Sequence, residues 1–182
     1  MKPYKIFYLL AFLLAAAPVF ADSCEGTSSV AATNQHYKVY GEADKEANKW
    51  NYVLVDLQTG EKRTGPFPKI RWHAHLYFFI SQDGKRFAVL DASAGHHSDD
   101  RFMIYDSAGK LVVSLGMNDI LTKDELSKVS YSISHVDWLK PDPVAKSWGK
   151  YLAEDNAVSL TTIADREVVI ALTDGQVIAK DK

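Results

Sequence analysis

The sequence is poor in the features that announce many small exported folds. A single cysteine, Cys24, in 182 residues cannot close an internal disulfide, so no covalent staple holds the fold. The chain has no Walker sequence, dinucleotide fingerprint or other Gly-rich phosphate cradle, which leaves nucleotide-dependent chemistry unsupported. It also has no Gly-x-Ser-x-Gly elbow and no His-Glu-x-x-His helix. Its charge is nearly balanced, with 21 Lys and Arg against 23 Asp and Glu, and no basic stripe is present. Nucleic acid is therefore not an expected partner. No apolar run reaches the ~20 residues that cross a bilayer. The run nearest to that length, Ile6–Ala17, stops at Pro18.

That short run has a different use. Lys2 and Lys5 precede it, and Val19-Phe20-Ala21 places small residues three and one positions before a cut. Residues 1–21 therefore read as a signal peptide cleaved after Ala21, which sends the mature chain to the periplasm or beyond without a stable membrane anchor. Cys24 lies close to that cut, but Ala21 and Asp22 stand where a lipoprotein carries Leu and a small uncharged residue, so lipidation is not expected. Residues 22–35 are rich in Ser, Thr, Ala and Gly and read as a flexible lead-in. Residues 36–182 are enough for one domain with a real core.

Within that domain, short runs rich in Val, Ile, Tyr and Phe alternate with turn residues. Strands are predicted at 36–41, 50–56, 73–80, 86–90, 101–105, 111–115, 132–139, 157–163, 167–172 and 176–179. Gly60, Gly84, Gly109 and Gly175 each end a polar turn between two such runs and can supply the positive φ of a tight hairpin. The expected fold is all-β, an antiparallel meander. One helix is predicted near 123–129, because Thr122 and Glu125 have the spacing of a capping box.

Two phrases, Ser81-Gln82-Asp83-Gly84 and Tyr105-Asp106-Ser107-Ala108-Gly109-Lys110, stand where a β-propeller blade joins its first two and its last two strands. The stretch from 77 to 115 resembles one blade of the propellers found in many exported bacterial proteins. Weaker echoes at 54–60 and 171–175 bring the count to three. Closed propellers need about four to eight blades, so the resemblance implies an open propeller-like or sandwich-like monomer, with a ring completed by two copies as the alternative. The chain as a whole also resembles small exported bacterial proteins, a likeness that carries no activity with it.

The candidate functional residues are histidines and one tryptophan. His73 and His75 share a strand face by the period of two, and one of His96, His97 or His135 can supply a third imidazole for zinc or copper. The plainer reading sets His73 and His75 on a half-exposed strand and His96-His97-Ser98-Asp99-Asp100 in a solvated loop. Ser134 and His135 point to opposite strand faces and cannot form a nucleophile and base there, so no catalytic residue is assigned. Trp148, flanked by Lys146 and Lys150, is the better candidate for an exposed aromatic, and with His96 and Asp99 it marks loops suited to binding. The expectation is an exported, non-catalytic binding domain with an unknown protein or small molecule as partner and no cofactor. The alternative is a zinc- or copper-binding protein, or a metal-dependent hydrolase, that uses the histidines.

Overall fold

The computed structural model describes residues 28–44, 46–47, 49–67, 75–92, 100–132, 136–142 and 147–180. In chain order the strands are β1 (Ser28–Val30), β2 (Ala32–Thr33), β3 (Tyr37–Asp44), β4 (Lys49–Asp56), β5 (Lys62–Phe67), β6 (His75–Ile80), β7 (Arg86–Asp91), β8 (Phe102–Asp106) and β9 (Leu111–Leu115). Two short helices follow, α1 (Met117–Ile120) and α2 (Lys123–Leu126). The chain continues through β10 (Ser130–Tyr131), β11 (Val136–Asp137), β12 (Leu139–Lys140), β13 (Lys150–Leu152), β14 (Ala157–Thr162), β15 (Glu167–Ala171) and β16 (Val177–Lys180).

These strands form three blade-like sheets and one antiparallel pair, β10 with β11. Sheet 1 runs β2-β3-β4-β5 and sheet 2 runs β6-β7-β8-β9, each an antiparallel meander. In sheet 3 the first position is shared by β12 and β13, which pair with opposite halves of β14, and β15 and β16 complete the order. The fold is all-β and propeller-like, and no closed barrel forms among the described residues.

Side-chain alternation explains the stacking. In sheet 2, Leu76, Phe78, Ile80, Phe87, Val89, Met103 and Tyr105 point to one face and pack on Val39, Trp50, Tyr52, Leu54 and Phe67 of sheet 1. The alternate residues Phe79, Ala88, Leu90, Phe102 and Ile104 point to the other face and pack on Val158, Leu160, Val168 and Ile170 of sheet 3. Sheet 2 is thus the shared middle layer of two cores. A bulge between Ile104 and Tyr105 skips Val112, so Leu111 joins the first core while Val113 and Leu115 join the second.

The predicted hairpin glycines hold: Gly60, Gly84, Gly109 and Gly175 have φ of 75, 66, 79 and 77°. The expectation of a single helix is corrected. The capping box at Thr122 and Glu125 starts α2 as predicted, but α1 precedes it, begun by the Asp119 carboxylate accepting from the Gly116 N–H (2.8 Å). Within residues 22–35, read from sequence as a flexible lead-in, Ser28–Val30 and Ala32–Thr33 are strands, and residues 22–27 lie outside the described residues. β1 runs parallel to β6 at one edge of sheet 2, and β2 pairs with β3 in sheet 1, so this segment ties the two sheets together.

Glu125 has a second task beyond the cap. It is 3% exposed and accepts from the Arg166 guanidinium (Nε, 2.9 Å) and the Thr162 hydroxyl (2.6 Å), while Arg166 also donates to the Ile120 carbonyl (2.9 Å). Helix α2 is thereby locked to the turn between β14 and β15. Burial alone would raise the Glu125 carboxyl, but the hydrogen bonds from Arg166, Thr162 and Thr122 outweigh it and hold the group at about 2.

Candidate functional site

In each blade-like sheet the first two strands are joined by a short turn: residues 34–36 in sheet 1, 81–85 in sheet 2 and 153–156 in sheet 3. The face-to-face stacking brings these three turns together at one end of the molecule. A chain of hydrogen bonds links them. The Asn34 side-chain Oδ1 accepts from the backbone N–H of His36 (2.9 Å) and Tyr37 (2.8 Å), an Asx turn that leaves its amide N–H₂ to donate to the Ser81 carbonyl (2.9 Å). The next N–H, of Gln82, donates to the Tyr151 hydroxyl (3.0 Å), which itself donates to Asn156 Oδ1 (3.0 Å). The second turn is braced internally, since the Ser81 hydroxyl donates to Asp83 (2.8 Å) and accepts from the Arg86 N–H (3.0 Å).

Beside this chain lies a cavity of 290 Å³, lined by Asn34, Gln35, His36, Gln82, Tyr151 and Ala153. Every sheet contributes to its wall. None of the six side chains is an acid, a lysine or an arginine. Asn34 and Tyr151 spend their polar atoms on the linking chain, and the Gln58 side-chain nitrogen hydrogen-bonds His36 Nδ1 (2.8 Å). Gln35 and Gln82, both exposed, border the cavity beside them.

A second depression of 210 Å³ lies between the β4–β5 turn and the second-sheet turns. Its charges are already engaged: Arg63 pairs with Glu61 (3.1 Å) and Lys85 with Asp83 (3.5 Å). The backbone N–H groups of Thr59 and Gln58 hold Asp56 below the usual carboxylate range, and that of Lys85 does the same for Asp83. These carboxylates build turns.

His73, His96, His97, Asp99 and His135 lie outside the described residues. His75 is partly buried in β6, opposite Ser28 of β1, and its carbonyl accepts from the Ala92 N–H (3.3 Å). Among the described residues no three His, Cys, Asp or Glu side chains gather as a metal site. Trp148 and Tyr77 are both partly buried against the core between sheets 2 and 3, and burial raises the pKa of the Tyr77 hydroxyl. The cavity residues were not singled out from sequence. Their signal is positional: all but Tyr151, which lies within β13, follow the first strand of a blade-like unit, a pattern that appears only when the three units are aligned.

No protein-family model matches the chain, and no curated protein matches it in sequence. Among solved structures it is similar to the β-propeller domain of the Trilobed protease from Pyrococcus furiosus, described as having an open velcro topology, with a TM-score of 0.42 and 12% identity. The match covers 85% of this chain and 43% of that one, so the chain spans less than half the length of the structure it matches.

Proposed function

We propose that the protein is an exported, non-catalytic binding module whose ligand sits among the three first turns. The observation that carries this reading is the convergence of all three blade-like sheets on one 290 Å³ cavity. Its wall is held in place by bonds within the protein, so the site is formed before a ligand arrives, as small-molecule sites usually are. Among the described residues no serine or cysteine lines the cavity beside His36, which favours binding over nucleophilic catalysis. Export rests on Lys2, Lys5, the apolar run Ile6–Ala17 and the small residues at Val19 and Ala21.

The test is a small-fragment screen by amide NMR on the mature chain, with a Gln82→Trp variant as control. Gln82 is exposed and its backbone N–H, not its side chain, makes the link to Tyr151, so the variant blocks the cavity and spares the fold. Saturable shifts at Gln35, His36, Gln82 and Ala153, lost in the variant, are expected. Fragments that shift only amides elsewhere, or none that bind, would reject the reading.

A further inference from the structure

We infer that the group this cavity receives is an uncharged aromatic ring system, one ring or two fused rings, carried by a small molecule; this rests on the reading of the cavity as a ligand site. The first argument is the character of the wall. The surface that the six lining residues present is almost wholly carbon, although Asn34, Gln35, His36, Gln82 and Tyr151 all carry polar side chains. The bonds that hold the turns together account for part of this. Asn34 turns its Oδ1 to the His36 and Tyr37 N–H groups and its N–H₂ to the Ser81 carbonyl, and the Tyr151 hydroxyl is shared between the Gln82 N–H and Asn156. Contact with carbon returns no hydration to a charged group, and no Lys, Arg, Asp or Glu among the lining residues offers a counter-charge.

The second argument is shape. The Tyr151 hydroxyl is tethered from two sides, by Gln82 of sheet 2 and by Asn156 in the turn that follows β13, so its ring is held in one place. A ring held in this way meets another ring edge-on or offset, a contact that contributes more than its area alone. A saturated chain gains only area and gives up rotamer freedom on entering. The volume agrees: an apolar cavity of about 150 Å³ takes benzene, and 290 Å³ leaves room for a substituent or a second fused ring. Because the cavity is half open to solvent, polar substituents of the ring stay in water on the open side.

The experiment titrates the mature chain with phenol and indole, and with cyclohexanol and 1-hexanol as saturated counterparts, and locates each by amide NMR. Phenol or indole is expected to shift Gln35, His36, Gln82 and Ala153 saturably and more tightly than either saturated alcohol. Two variants separate the ring from the hydroxyl. Tyr151→Phe and Tyr151→Leu lose the same hydrogen bonds, but only the first keeps a ring, so the aromatic ligand should bind Tyr151→Leu about fivefold more weakly than Tyr151→Phe, the effect of one ring–ring contact. Saturated alcohols that bind as tightly as the rings at these amides, or equal binding by the two variants, would overturn the aromatic class and keep the site. Silence from all four compounds, while unrelated fragments shift these amides, would do the same. Silence from every fragment would remove both the ring and the site.

Discussion

Replacing Glu125 with alanine is expected to destabilise the protein by about 3–5 kcal/mol, the range for removing one partner of a buried ion pair. The carboxylate is 3% exposed and is met by Arg166, Thr162 and the Thr122 N–H, so its loss leaves a largely buried guanidinium without its counter-charge and reopens the start of α2. Chemical denaturation checks the magnitude. A Glu125→Leu, Arg166→Met double variant should recover a large part of the loss, because an apolar pair leaves neither charge stranded. A double variant no better than Glu125→Ala would show that the cap, and not the ion pair, is the main contribution.

The same group gives the fold an acid limit. Its folded value of about 2 lies below the ordinary 4.5, so the unfolded chain takes up the proton first. The stabilisation is complete above about pH 5 and is lost as pH falls from there toward 2, amounting to about 3 kcal/mol over that window. Stability measured against pH should show this decline in the wild type, and in Glu125→Gln the decline should be shallower by that amount.

Gly109→Ala is the second large effect, expected to cost about 3 kcal/mol or more. Its φ of +79° already disfavours a side chain, and an added Cβ would collide with the Tyr52 hydroxyl, which donates to the Ala108 carbonyl across the gap between sheets 1 and 2 (3.3 Å). Tyr52 has little room to retreat, since its ring packs on Phe67 (5.7 Å) and Phe87 (5.2 Å). Gly60 provides the internal control. It occupies the equivalent turn of sheet 1 with a φ of +75°, and a Cβ there meets nothing within 4 Å. Gly60→Ala should therefore cost only the backbone term, about 1 kcal/mol. Equal thermal shifts for the two variants would show that backbone conformation alone sets the penalty.

Those glycines were legible because a tight turn leaves a local chemical trace. So were the long strands, whose branched and aromatic residues fill two cores at once. Other elements left less to read. β5 carries Gly65 and Pro66, which disguise a strand, and it survives as an edge where a missing donor does no harm. β1 and β2 are built of Ser, Val, Ala and Thr, and their order comes from the edges of two sheets formed far along the chain. Glu125 was legible as a cap, whereas its partnership with Arg166 spans 41 positions and has no local pattern. The cavity was hidden for a related reason: Asn34, Gln82 and Tyr151 are unremarkable turn and edge residues until three sheets align them.

Sheet 2 shares its two faces between both hydrophobic clusters, whereas sheets 1 and 3 each contribute to one. This arrangement sets a hierarchy of opening. Either outer sheet can peel away while the middle keeps half of its packing, but the middle cannot open without dissolving both clusters. Native-state hydrogen exchange should then be slowest at the amides of β7 and β8, where exchange reports global unfolding, and faster by sub-global routes in β3 and β16. The turns around the cavity would gain most from a bound ligand, because a molecule touching all three sheets penalises the detachment of either outer one. Protection gained at β3 and β14 on ligand addition would be the signature of that clamp.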